Sequence, residues 1–313
     1  MACARSLAKA LLALWTGLAL FMPRALAQTE PTPSTPAALA GTLAKVRDAG
    51  AVTIGYRESS IPFSFMSPRN EPIGYSIELC KALVEAMSDA VHKTLAIRWV
   101  PVTSESRLEA VASGRVDLEC GSTTNNLERQ KRVAFSPTIF VSGTKLLVRK
   151  DSPIKSFRDL GGRAVAVTSG TTNEKTMRDI AARFRIPMKL VASRDHAESF
   201  ALVKSGKAEA FATDDVLLYG LIAQDRGADN GPANYEVIGD FLSYDPYGVM
   251  YRRDDPEMTR VVNDTFHELA EDGEIERQYK RWFLRKLPSG AALNLPMSQE
   301  LETIIQTMAV RSE

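Results

Sequence analysis

The chain has 313 residues, 39 basic against 38 acidic, for a net charge of +1. That balance excludes the strongly basic face of a nucleic-acid binder, so no nucleic-acid partner is expected. Three cysteines and three scattered histidines, His92, His196 and His267, show no metal-ligand spacing, and neither metal nor cofactor is expected.

The chain opens with Arg5 and Lys9, then a stretch of about thirteen mainly apolar residues from Ala10 to Met22, then Ala-Leu-Ala at 25–27. A charged start, a short apolar run and a small-x-small site predict a cleaved export signal over residues 1–27, cut between Ala27 and Gln28. The run falls short of the roughly 20 residues needed to span a bilayer. Cys3 precedes it and is not placed for lipidation. The mature chain is expected to be soluble and outside the cytoplasm. Loss of Arg5, Lys9 and Arg24 moves the net charge from +1 to −2. The remaining length is near the limit of a single core, so two lobes are expected. Cys80 lies in a helical pattern and Cys120 in a strand pattern; nothing in the sequence places their Cα atoms, and the reading preferred is two buried thiols without a bridge.

Residues 28–41 are rich in Pro, Thr and Ala and read as a flexible arm leading to a first helix near Thr42 to Asp48. "AVTIGY" reads as a strand and "YSIELCKALVEAM" as a helix with Ile77, Cys80, Val84 and Met87 on one face. "IRWVPV", "SRLEAVASG" and "VDLECG" follow as strand, helix closed by Gly114, and strand. This order predicts an α/β domain with a mostly parallel sheet. The alternation restarts at "RAVAVTSGTTNEKTMRDIAARF", whose helix should bury Met177, Ile180, Ala181 and Phe184 before Pro187. "KLVASRDHAESFALVKSGKAEAFATDD" overlays "IRWVPVTSESRLEAVASGRVDLECGST" at an offset of 92, pairing Asp117 with Glu209, Ser104 with His196, Arg107 with Ser199, and Ser122 with Asp214. A repeat of this length predicts two similar lobes, with those residues beyond the strand ends where open α/β sheets bind ligands.

Several polar groups fall at such strand ends. "TSGTTNE", with Gly170, Thr171 and Thr172, opens a helix whose first N–H groups can either be capped locally or face an anion. It lacks the spacing of a nucleotide phosphate loop. Arg57, Arg107 and Arg129 each stand at a junction, and Arg suits two-point binding of carboxylate. "ECGSTTNNLERQ" adds Ser122 and Thr124, whereas Lys131 and Arg132 read as solvated. No Gly-x-Ser-x-Gly elbow occurs, although Ser104, His196 and Asp214 could assemble a hydrolytic triad in space.

From about Leu43 to Pro288 the chain resembles the bacterial periplasmic amino-acid-binding proteins that serve ABC transporters. The resemblance rests on "GYSIELCKAL", "VDLECGSTTNNLERQKRVAFSPTIF", "AVAVTSGTTNE" and "AEDGEIERQYKRWF". "GYRESSIPFSF", "VTSESR", "ECGSTTNNLERQ" and "SRDHAESF" make it most similar to the glutamate/aspartate-binding members. The resemblance implies a type II two-lobed fold, with lobe 1 at 42–140 and 246–313, lobe 2 at 141–245, and hinge segments near Val141 to Thr144 and Tyr244 to Gly248. It implies that Arg129, Ser122, Thr124 and Thr172 hold the α-carboxylate of L-glutamate or L-aspartate, that Asp214 takes the ammonium, and that Arg57, Ser104, Arg107 and His196 surround the side-chain carboxylate. A monomer that delivers its ligand to an inner-membrane ABC permease, without catalysis, is the expectation. The alternative is a periplasmic dehydratase or amidohydrolase built on the same scaffold and acting on a dicarboxylic substrate. The resemblance gives Cys80 no functional role, leaves the arm unaligned and matches the tail after Pro288 only weakly.

Overall fold

The computed structural model describes residues 39–226 and 234–310; the proposed signal and nearly all of the arm lie outside this range. The last arm residues are already anchored, since the Ala40 N–H donates to Glu257 Oε2 at 2.9 Å. Helix α1 (Gly41–Ala49) leads into β1 (Ala51–Tyr56), and a small antiparallel sheet of β2 (Ser59–Ser60), β3 (Ser64–Met66) and β4 (Pro72–Ile73) follows. Then come α2 (Tyr75–Ala90), β5 (Ala96–Pro101), α3 (Arg107–Ala112), β6 (Leu118–Glu119), α4 (Leu127–Gln130) and β7 (Val133–Phe135). After β8 (Phe140–Ser142) the chain builds β9 (Thr144–Arg149), β10 (Ala164–Thr168), α5 (Thr172–Phe184), β11 (Lys189–Ser193), α6 (His196–Lys204), β12 (Ala210–Asp214), α7 (Asp215–Arg226) and β13 (Tyr235–Ile238). It returns through β14 (Asp245–Tyr247) to β15 (Met250–Arg252) and ends with α8 (Pro256–Glu271), α9 (Glu274–Tyr279) and α10 (Gln299–Met308).

The main strands form two five-stranded sheets of matching order, β5-β1-β6-β15-β7 and β11-β10-β12-β9-β13. Each has a single reversed strand, β15 in one and β9 in the other. That strand is the one the chain enters directly from the antiparallel ribbon β8–β14, which pairs Phe140 with Tyr247 and Ser142 with Asp245. The fold is therefore two α/β lobes joined by a double crossover, and β8 and β14 coincide with the segments read as hinges. The offset of 92 places β5 on β11, α3 on α6 and β6 on β12. One pair shows the equivalence at atomic level. The Asp117 N–H donates to Thr53 O at 2.8 Å while Asp117 Oδ2 accepts from Thr53 N at 2.8 Å. Glu209 repeats this, its N–H donating to Ala164 O at 2.8 Å and its Oε2 accepting from Ala164 N at 2.9 Å. Each carboxylate stitches two parallel strands and is neutralised by a surface cation, Lys45 at 2.7 Å and Arg163 at 2.6 Å.

Burial follows the periodicities. In α2 the stripe Ile77, Cys80, Val84 and Met87 is buried against the first-lobe core. That core also takes Phe63, Phe140, Tyr247, Trp282 and Phe283, so both chain halves and the ribbon contribute to it. The second sheet is covered on both faces: Ala166 and Phe211 face one apolar cluster, while Val165, Val167, Ala210 and Ala212 face another, as expected of strands buried on both sides. One expectation fails at α5. Met177 is buried and Ile180 and Ala181 are half-buried, but Phe184 is 41% exposed. It ends the helix, packs on Phe157 with ring centroids 5.1 Å apart, and lies beneath the Arg158 and Arg183 guanidiniums. The backbone leaves the helix at Arg185, whose φ is 54°, so the fourth position of the stripe emerges at the rim.

The cysteines correct the sequence reading. Cys80 and Cys120 form a disulfide with Cα atoms 6.3 Å apart, across a separation of 40 residues. The inward face of α2 lies against the end of β6, a contact that sequence periodicity could not locate. Closing a loop of this length removes about 4 kcal/mol of unfolded-state chain entropy. The Cys80→Ala/Cys120→Ala protein is expected to lose about that much stability in urea denaturation. A midpoint equal to that of the unsubstituted protein would show that the bridge contributes nothing.

Candidate functional site

Each lobe offers the ends of its parallel strands to the gap between them. Arg57 directly follows β1, and Arg107 is the first residue of α3. Ser122 and Thr124 follow β6. Arg129 lies in α4, whose cap Asn126 accepts its N–H through Oδ1 at 3.0 Å. From the second lobe, Thr171 caps α5 by accepting the Glu174 N–H at 3.1 Å, and Thr172 opens that helix. His196 opens α6, capped by Asp195, and Asp214 ends β12. All of these are strand-to-helix junctions, where backbone donors and polar side chains converge.

The two sets enclose a small, nearly filled cavity lined by Arg107, Ser122, Thr124, Thr171, Thr172, Asn173, His196, Asp214 and Leu217. Arg57, Ser104 and Arg129 are also buried, but they are not among the residues that line it. Among the described residues, Arg57 Nη1 and Nη2, Ser104 Oγ, Arg107 Nε and Ser122 Oγ are buried without a hydrogen-bond partner. The partners that Arg107 and Arg129 do have are neutral carbonyls: Ser122 O at 3.2 Å, Thr124 O at 2.8 Å and Gly170 O at 3.4 Å. Buried donors left unpaired cost about 1–3 kcal/mol each, more when charged.

The electrostatics divide the cavity into two poles. Burial, then the neighbouring Arg107, pushes Arg57 down to about 9, and the same two causes push Arg129 down to about 9. Burial also lowers Arg107. Arg57 and Arg129 stay cationic at neutral pH. His196 is held well below its usual value by burial and then by Arg57 and Arg107, so the ring is neutral. Its Nδ1 lies 2.9 Å from Thr168 Oγ1, which in turn touches Ser199 Oγ at 2.9 Å. At the other pole Asp214 is pushed up to about 7 by burial and by Asp245. It accepts from Asn173 Nδ2 at 2.7 Å and from the Tyr247 hydroxyl. Arg57 and His196 thus mark one end, Arg129, Asp214 and Asp245 the other, and Arg107 lies between.

The lobes also touch directly. Thr124 Oγ1 lies 3.2 Å from Thr172 Oγ1 and donates to Asp245 Oδ1 at 3.0 Å. Gly170 takes its place here rather than on the cavity wall. A Cβ on it would stand 2.7 Å from Glu105 Cα, and its φ is 74°. Lys131 and Arg132 point outward into surface pairs with Glu128 and Glu109. Ser104, His196 and Asp214 share no hydrogen bond: His196 is bonded to Thr168, Asp214 to Asn173 and Tyr247, and Ser104 Oγ has no partner among the described residues. A hydrolytic triad is therefore not assembled. Sequence reasoning missed Asn173, Leu217, Tyr247 and Asp245. Asn173 sits inside the "TSGTTNE" loop that had been singled out, whereas the ribbon residues carry no local signal.

A family model of bacterial extracellular solute-binding proteins, family 3, matches residues 52–285. The chain belongs to this family. Among its relatives in the family, the L-glutamate/L-aspartate-binding protein of Pseudomonas aeruginosa is 42% identical over 270 residues, 85% of this chain and 88% of its own. The glutamate/aspartate import solute-binding protein of Salmonella typhimurium is 40% identical over 271 residues, 86% and 88% of the two chains. Among solved structures, the ancestral amino-acid-binding protein AncCDT-1, a precursor of cyclohexadienyl dehydratase, superposes with a TM-score of 0.65 at 30% identity, over 77% of this chain and 99% of that one. No helix among the described residues is long and apolar enough to cross a membrane.

In this family 3 protein Gly170 against Glu105 is one point of close approach between the lobes, as Gly220 against Ile61 is another, and it serves as a test of their closure. A left-handed alanine costs about 1–2 kcal/mol, and parting the lobes relieves the clash. Gly170→Ala is expected to enlarge the radius of gyration in X-ray scattering while lowering stability only by that amount. An unchanged radius would mean that the loop yields and the lobes stay together.

Proposed function

We propose that this protein captures L-glutamate or L-aspartate between its lobes as a monomer and presents it to an inner-membrane ABC permease, with no chemical turnover. The observation that carries the reading is the set of unpaired buried donors on Arg57, Ser104, Arg107 and Ser122, two of which line a cavity that also holds a carboxylate, Asp214. A neutral amino acid would leave the Arg57 pole unmatched, and a buried charge without a partner is strongly unfavourable. The relatives' glutamate/aspartate binding supports the same ligand class.

In this reading Arg129, with Ser122, Thr124 and the start of α5 at Thr172, holds the α-carboxylate, and Asp214 holds the ammonium. Arg57, Ser104, Arg107 and neutral His196 surround the side-chain carboxylate. Gly170 and Thr171 shape the approach of α5. Residues 42–140 and 246–313 form one lobe and 141–245 the other, moving about β8 and β14. Residues 1–27 direct export to the periplasm and are cleaved after Ala27.

Calorimetry of ligand-stripped protein against Glu, Asp, Gln, Asn and Arg tests the ligand class: Glu and Asp should bind most tightly, and tighter binding of Gln or Arg would overturn the assignment. In the same assay Arg107→Ala should cost about 2–5 kcal/mol for glutamate, because it leaves the ligand carboxylate buried and unpaired. An unchanged affinity would remove Arg107 from the site. The elevated Asp214 gives a pH signature whose sign follows from its charge. The ammonium favours ionised Asp214, so binding expels its proton and affinity is full above about pH 7. Below that it should fall by up to about tenfold per unit as the carboxyl protonates. A flat profile from pH 5.5 to 8 would separate Asp214 from the ammonium.

A further inference from the structure

Glu119 is a carboxylate that neither the sequence reading nor the proposed ligand contacts use. It is fully buried at the end of β6, at the start of the segment that carries the cavity wall. Its Oε2 accepts from Thr123 Oγ1 at 2.7 Å, whereas Oε1 has no hydrogen-bond partner among the described residues. The same segment gathers all three arginines. Arg107 donates to Ser122 O and Arg129 to Thr124 O. A Cβ on Gly121 would stand 2.4 Å from Glu119 Oε1 and 2.8 Å from Arg57 Cγ, so only glycine lets these two side chains lie together behind the cavity. The charge of Glu119 raises the proton affinity of Arg57, Arg107 and Arg129 alike.

We propose that Glu119 is a specificity-determining counter-ion: a fixed negative charge behind the arginines that holds them together in the free protein and limits how strongly the cavity prefers an acidic over an amide side chain. The inference rests on the acidic amino-acid reading above. A carboxylate in this position subtracts from the positive field that a ligand meets, and it does so without touching the ligand. A purely structural role, in which Glu119 only anchors Thr123, would affect all ligands equally.

Glu119→Gln separates the two, because the amide oxygen still accepts the Thr123 hydroxyl while the charge is gone. The affinity ratio of glutamate to glutamine is expected to rise by about tenfold, the scale of one unit charge acting through a partly polar interior. The ligand-free melting temperature should fall and its rise on adding glutamate should grow. Glu119→Asp keeps the charge and should retain the original ratio. An unchanged or lower ratio in Glu119→Gln overturns the proposal. Should that variant not fold, the ¹³C shift of the Glu119 carboxyl in the unsubstituted protein decides: ionised at pH 7 supports the proposal and neutral at pH 7 overturns it. Unsubstituted protein that binds neither glutamate nor aspartate would instead sink the ligand reading, whereas tight binding with an unmoved ratio sinks only the role of Glu119.

Discussion

Taking three guanidiniums out of water is the constraint around which this molecule is arranged. Arg57, Arg107 and Arg129 are nearly solvent-free and repel one another, and the hydrogen bonds that Arg107 and Arg129 do make end on uncharged carbonyls. Such a cluster is tolerable only inside a rigid frame that supplies dipoles and a nearby negative charge. The frame is visible in the segment from Glu119 to Arg129. Backbone carbonyls face the arginines, glycine allows close approach, and a short capped helix aims the last guanidinium.

The second lobe answers with complementary chemistry on the same topology. The equivalent of Arg107 is Ser199, which is buried in a hydroxyl network that orients His196, and the equivalent of Ser122 is Asp214. One template thus carries cations in one lobe and acceptors with a neutral imidazole in the other. Each end of the cavity nevertheless draws on both lobes, Arg57 with His196 at one and Arg129 with Asp214 at the other. The Asp117 and Glu209 stitches are alike in both lobes because they serve the sheets rather than the guest.

Much of this was legible because it is periodic or local. Helical stripes such as Ile77 to Met87, the offset of 92, and arginines at strand ends follow from rules that act over a few residues. The features that escaped arise from folding together distant segments. Tyr247 reaches Asp214 only because β14 pairs with β8, and Asp245 meets Thr124 only because that ribbon lies against the first lobe. The bond between Cys80 and Cys120 needed the position of α2 over β6, and Phe184 departed from its stripe because the helix ended beneath it.

The disulfide does more than close a loop. Cys120 stands between Glu119 and Gly121, and Ser76 of the same helix α2 donates to Gly121 O at 2.8 Å. Helix α2 therefore grips the wall of the cavity at two successive residues, one covalently. In a reducing compartment the covalent grip is missing, because thiols there stay unpaired. The firmness of the recognition surface is thus written partly in the redox state of the surroundings, and a chain folded before it leaves the cytosol carries the same side chains on a less constrained backbone.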